Sequence, residues 1–132
     1  VTLVDSNVLL DILTADAKWL AWSVETLNDR AEAGPLYFNE VVYAELAVKS
    51  MSEAELDDAL VTTRCQLQRI PKGALFLAGK AFGRYRDAGG ARNNVLPDFL
   101  VGAHAHVARL PLLTRDVSRY RTYFPDIELI TP

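Results

Sequence analysis

The opening thirteen residues constrain the chain most. Val1-Thr2-Leu3-Val4 is a β-favouring run without polar alternation; it stops at Asp5, and a helical pattern follows. Such a run reads as a strand buried on both faces, the habit of a parallel sheet covered by helices. Ligands of these sheets bind beyond the carboxyl ends of the strands. Asp5 is therefore a site candidate as well as a plausible turn or cap residue. Ser6 or Asn7 is expected to cap the next helix, whose Val8, Leu9, Ile12 and Leu13 share a face.

The pattern then alternates. Asp16 is placed to cap a helix over 17–33, Leu36-Tyr37-Phe38 reads as a second strand, and Asn39 caps a helix from Glu40 to about Lys49. Ser52 and Glu55 have capping-box spacing for a helix reaching Thr63. A third strand begins at Cys65 and closes at Pro71. Helices follow over 72–87 and from Asp98 to about Arg109, then a strand over 112–114, a short helix over 118–123 and a last strand over 128–130. Strands alternating with helices give an α/β fold with a mainly parallel sheet flanked by helices, and 132 residues suit a single domain over 1–132.

Composition narrows the function. Fourteen Lys and Arg against seventeen Asp and Glu leave a net charge of −3, so any contact with nucleic-acid phosphate has to be local. The single cysteine, Cys65, forms no internal disulfide and argues against a structural zinc site, which favours a reducing, cytosolic setting. No basic leader precedes an apolar core, and the longest apolar segment, 99–113, is too short to span a bilayer.

Four acids stand where a plain fold would not place them. Asp5 and Asp116 follow strands, Glu45 falls in line with Val41 and Val48 on the apolar stripe of its helix, and Asp98 opens a helix that is apolar or small nearly all round. Singly, each has an ordinary reading as a cap or an edge residue. Together they gather like charge at one sheet edge, which calls for a divalent cation, and oxygen-only ligands favour Mg²⁺ or Mn²⁺ over zinc. Such a site can activate water for phosphodiester hydrolysis.

The ordered set Val4-Asp5-Ser6-Asn7-Val8-Leu9, Glu45 in the Glu40 to Leu46 segment, Leu96-Pro97-Asp98-Phe99-Leu100-Val101-Gly102-Ala103-His104-Ala105 and Leu112-Leu113-Thr114-Arg115-Asp116, followed by Tyr120-Arg121-Thr122-Tyr123-Phe124-Pro125, resembles the PIN domain. Within that family it is similar to the VapC-type toxins of bacterial toxin-antitoxin pairs, and the resemblance covers essentially the whole chain. It implies a Mg²⁺- or Mn²⁺-dependent endoribonuclease with Asp5, Glu45, Asp98 and Asp116 as catalytic, metal-holding acids. Asn7 and Thr114 would stand close behind them. It further implies a homodimer restrained by a cognate antitoxin protein.

Arg115, Arg119 and Arg121 near Asp116, and Arg84, Arg86 and Arg92 before the Asp98 helix, are candidate contacts to RNA phosphates; Tyr120 and Tyr123 are candidates to stack bases. Asp11 reads as a surface acid or a local partner for a basic residue, and His104 and His106 as helix-packing residues. A haloacid-dehalogenase-like phosphatase is the competing enzyme, but it needs a second Asp where Asn7 stands. A receiver domain needs adjacent acids where Ser6 stands and a lysine where Arg115 stands. A PIN-like domain that only binds RNA or protein is the remaining alternative.

Overall fold

The computed structural model describes residues 1–50, 52–90 and 95–132. Among them the elements run β1 (Thr2–Val4), α1 (Ser6–Leu13), α2 (Leu20–Ala33), β2 (Leu36–Phe38), α3 (Glu40–Ala47) and α4 (Glu53–Thr63). They continue with β3 (Cys65–Leu67), α5 (Lys72–Asp87), α6 (Leu96–Ala108), β4 (Leu112–Leu113), α7 (Ser118–Tyr123) and β5 (Leu129–Ile130). The five strands form one parallel sheet in the order β3-β2-β1-β4-β5.

The order follows from burial. Leu3 and Val4 of β1 and Leu112 and Leu113 of β4 are wholly buried, each side chain contributing roughly 1.5–3 kcal/mol on leaving water. The most apolar strands therefore lie where helices cover them. From β1 the chain steps outward to β2 and β3, then returns across the sheet to β4 on the other side of β1. The direction of winding reverses between β1 and β4; in sheets of this kind the ligand crevice, here the β1–β4 crevice, is placed beyond the carboxyl ends of the strands at such a reversal. Leu3 pairs with Leu112 and Val4 with Leu113, so Asp5 and Thr114 are the next residues out on neighbouring strands; the Asp5 N–H still donates to Leu113 O at 2.9 Å.

Several helix starts are set by single side chains. Ser52 Oγ accepts the Glu55 N–H at 3.2 Å. Asp16 Oδ1 accepts from Lys18 and Trp19, but this closes a turn over 17–19 and does not cap the helix: α2 begins only at Leu20, and Trp19 at its cap position makes no side-chain bond. The cap of α1 differs from expectation: it is Asp5 itself, whose Oδ1 accepts the Ser6 N–H at 2.8 Å, and not Ser6 or Asn7. Helix α6 also begins earlier than expected, because Leu96 and Pro97 occupy its first two positions, where a missing N–H costs no intrahelical bond. Asp98 consequently lies inside the first turn, where the helix dipole favours a negative charge, and is not the cap.

Helix α6 packs most extensively on α5 and also meets α3 and α7. Gly102 makes the α7 contact possible: a Cβ there would come within 2.5 Å of the Phe124 ring and 3.2 Å of Tyr120. No helix among the described residues is long and apolar enough to cross a membrane.

Candidate active site

Asp5 is 4% exposed at the β1–β4 crevice and receives three donors. Ser6 N–H reaches Oδ1, while the hydroxyls of Thr114 (2.9 Å) and Tyr120 (2.8 Å) both reach Oδ2. Burial raises the Asp5 pKa above the ordinary carboxylate value, opposed by the Tyr120, Thr114 and Ser6 hydrogen bonds and reinforced by the charge of Asp116.

The other acids come from three further elements. Glu45 on α3 is half-buried and accepts the Ser6 hydroxyl at Oε1, 2.9 Å away, so Ser6 serves Asp5 with its backbone and Glu45 with its side chain. Burial raises the Glu45 pKa, and the Asp5 charge adds to the rise against the Ser6 bond. Asp98 on α6 is pushed up to about 6, first by burial and then by Asp5, with Arg119 opposing and Asp116 and Glu45 adding. Asp116, just past β4, is exposed; its Oδ1 meets the N–H and hydroxyl of Ser118 at 3.4 Å. The four carboxylates thus share one region of the sheet edge, and the charges of Asp5, Glu45 and Asp116 all reach Asp98.

Asn7 and Thr114 lock this edge together. Asn7 donates from Nδ2 to Thr114 Oγ1 at 3.1 Å and accepts the Arg115 N–H at Oδ1 at 3.1 Å. Thr114 Oγ1 also accepts the Asp116 N–H; its one proton has two acceptors in reach, the Asp5 carboxylate at 2.9 Å and the Asp116 carbonyl at 3.2 Å, and the nearer, charged one is Asp5. Asn39, the cap of α3, accepts the Val42 N–H and places Nδ2 3.1 Å from His104 Nδ1. That contact ties the helix bearing Glu45 to the helix bearing Asp98. With Asn39 donating, His104 is neutral, and burial keeps its pKa low, as suits a packing residue.

The basic and aromatic candidates divide. Arg119 donates to Asp98 Oδ2 at 2.9 Å and lies over the Tyr85 ring at 5.7 Å. Arg115 is committed to Asp11. Arg121, Arg84 and Arg86 are exposed, and Arg92 lies outside the described residues. Tyr120, expected to stack bases, is 2% exposed with its hydroxyl on Asp5, so no base can reach its ring. Tyr123 packs against Phe99 and Tyr85. Sequence reasoning missed Tyr120 and Ser6 as partners of the acids. The one available signal for Tyr120 was its spacing from Phe124, which puts both on the inward face of the chain end.

For a divalent cation the donor chemistry fits. The four acids offer oxygen only, and among the described residues Oε2 of Glu45, Oδ1 of Asp98 and Oδ2 of Asp116 accept no hydrogen bond. The spacing is open: among the described residues no three Asp, Glu, His or Cys side chains group closely enough to hold an ion as they stand. A cleft of about 550 Å³ lies elsewhere, before β4, between His106, Arg109, Pro111 and Asp126. None of the four acids lines it. We take the acidic edge as the site because its groups are charged, mutually coupled and placed at the switch in winding.

A family model, "PIN domain", matches residues 2–125. Among solved structures, VapBC2 from Rickettsia felis bound to a DNA fragment from its promoter aligns with a TM-score of 0.72 at 18% identity, covering 99% of this chain and 98% of that one. DNA-bound VapBC from Salmonella typhimurium aligns with a TM-score of 0.71 at 15% identity, covering 98% and 96%. FitAcB from Neisseria gonorrhoeae aligns with a TM-score of 0.66 at 14% identity, covering 100% and 98%. At these identities the likeness is one of fold. No curated protein matches the sequence.

Proposed function

The chain belongs to the PIN-domain family, and from that premise we propose that it is a Mg²⁺- or Mn²⁺-dependent endoribonuclease acting as the toxin of a bacterial toxin-antitoxin pair. Nuclease activity is typical of the family. The observation that carries the reading is the coupling of four carboxylates at the β1–β4 crevice, with Asp98 pushed up to about 6 by burial and by its acidic neighbours. Asp5, Glu45, Asp98 and Asp116 would hold the ion. When bound, it would activate a water toward phosphorus and stabilise the charge that develops on the phosphate.

The chain's own residues prepare that site. Tyr120, Thr114 and Ser6 fix the Asp5 carboxylate, and Ser6 holds Glu45 beside it. Asn7 joins the ends of α1 and β4, so the acids from both are presented together. Arg119 and Arg121 on α7, the helix that follows Asp116, are the candidates for RNA phosphate. The partner reading is a homodimer neutralised by a cognate antitoxin in the cytosol; the VapBC complexes that share the fold support its antitoxin part. A basic antitoxin side chain would suit the acidic edge, as Arg119 already does on Asp98.

The test is incubation of the purified protein with total RNA, with Mn²⁺ and with chelator, beside Asp5→Asn. Cleavage by the wild type in Mn²⁺ alone is expected. Cleavage that persists in chelator, or at an equal rate in Asp5→Asn, overturns the assignment.

A further inference from the structure

The loop from β4 to α7 carries Thr114, Arg115 and Asp116, and among the described residues no ladder hydrogen bond sets its path beyond Thr114. The Arg115 side chain leaves the crevice and forks onto Asp11 of α1, Nε to Oδ2 at 2.7 Å and a terminal nitrogen to Oδ1 at 2.9 Å. Asp11 is 3% exposed and accepts a third bond from Ser23 of α2 at 2.7 Å. The guanidinium also lies over the Trp19 ring, 4.9 Å from its centroid. Arg115 is thus held by two carboxylate oxygens and an aromatic face, which fixes both its position and its plane.

Its backbone N–H then points at Asn7 Oδ1, and Asn7 Nδ2 in turn donates to Thr114 Oγ1. That sequence of contacts occupies the acceptor side of the Thr114 hydroxyl while its proton faces Asp5 at 2.9 Å and the Asp116 carbonyl at 3.2 Å, and it sets the start of the segment bearing Asp116. A buried ion pair gains little stability over an apolar pair of equal volume. What the fork adds is direction. We infer that Asp11 and Arg115, seated on Trp19, form a positioning pair that holds the β4–α7 loop so that Thr114 and Asp116 face Asp5. This assigns Arg115 to geometry and not to RNA phosphate, gives Asp11 a role, and rests on the function proposed above.

The test replaces the whole pair, Asp11→Leu with Arg115→Met, so that no unpaired charge is left buried. The melting temperature in chelator is expected to fall by several degrees, because the buried Ser23 hydroxyl loses its Asp11 acceptor, with the fold retained. Amide exchange at positions 115 and 116, read by NMR without metal, should quicken about tenfold or more, and Mn²⁺-dependent RNA cleavage should slow by about tenfold or more, the scale on which outer partners of a site act. A folded double variant with wild-type exchange overturns the positioning role. A wild type that cleaves no RNA instead overturns the proposed function, while the exchange measurement still judges the pair. Should the double variant not fold, Arg115→Lys keeps the charge but loses the fork and the flat stack; faster exchange at 115 and 116 upholds the proposal, and wild-type exchange overturns it.

Discussion

Tyr120→Phe removes one oxygen and leaves the ring in place, so it isolates what the hydroxyl does for Asp5. The bond is 2.8 Å long, between a side chain 2% exposed and a carboxyl 4% exposed. A hydrogen bond to a charged group contributes roughly 1.5–3 kcal/mol net, and we take about 2 kcal/mol for this one. At about 4 °C per kcal/mol for a domain of this size, the melting temperature should fall by roughly 8 °C. The pH dependence is more specific. Burial raises the Asp5 pKa, so ionising Asp5 costs stability as pH rises through its folded value, and the Tyr120 bond offsets part of that cost. The deficit of the variant should therefore be greatest above the folded Asp5 pKa and shrink as pH falls through it and Asp5 takes up a proton. Urea unfolding in chelator across a pH series from about 4 to about 9 measures it. A deficit that does not change with pH would refute the claim that Tyr120 acts on an ionised Asp5.

Asp98→Asn tests the crowding of charge directly. A rise from 3.8 to about 6 corresponds to about 3 kcal/mol at most, and screening of a partly exposed carboxyl and the loss of the Arg119 pair reduce it, so the metal-free variant should gain about 1 kcal/mol at pH 8. The gain should vanish near pH 4, where the wild-type carboxyl is protonated; a variant less stable at pH 8 in chelator contradicts the account. Arg119→Met removes the cation that occupies Asp98 Oδ2 and should tighten Mn²⁺ binding, by up to about fivefold, in calorimetry. Weaker binding would show that Arg119 does not compete with metal.

Much of the scaffold was legible because its signals are local. Helices α5 and α7 lie where periodicity put them, Ser52 caps as its spacing with Glu55 foretold, and the buried run before Asp5 is the central strand. The parallel sheet followed from apolar strands alternating with helices. The acids could be singled out because each sits at a strand end or on a helix face where a charge is costly. Their supporting bonds were not legible, since they join residues far apart in sequence. The Tyr120 hydroxyl reaches Asp5 because Gly102 lets α7 close on α6. Asp11 looked like a surface acid because its partner, Arg115, is 104 positions away and Ser23 arrives from another helix. A helical stripe reports which face is buried, not which polar groups meet inside it.

The central claim is that Asp5, Glu45, Asp98 and Asp116 together bind the ion that drives RNA cleavage. Anomalous diffraction from a crystal grown with Mn²⁺ tests it most directly. The account predicts a manganese peak bounded by these four carboxylates at the β1–β4 crevice. A peak seated elsewhere, or none at this edge at saturating Mn²⁺, would contradict it.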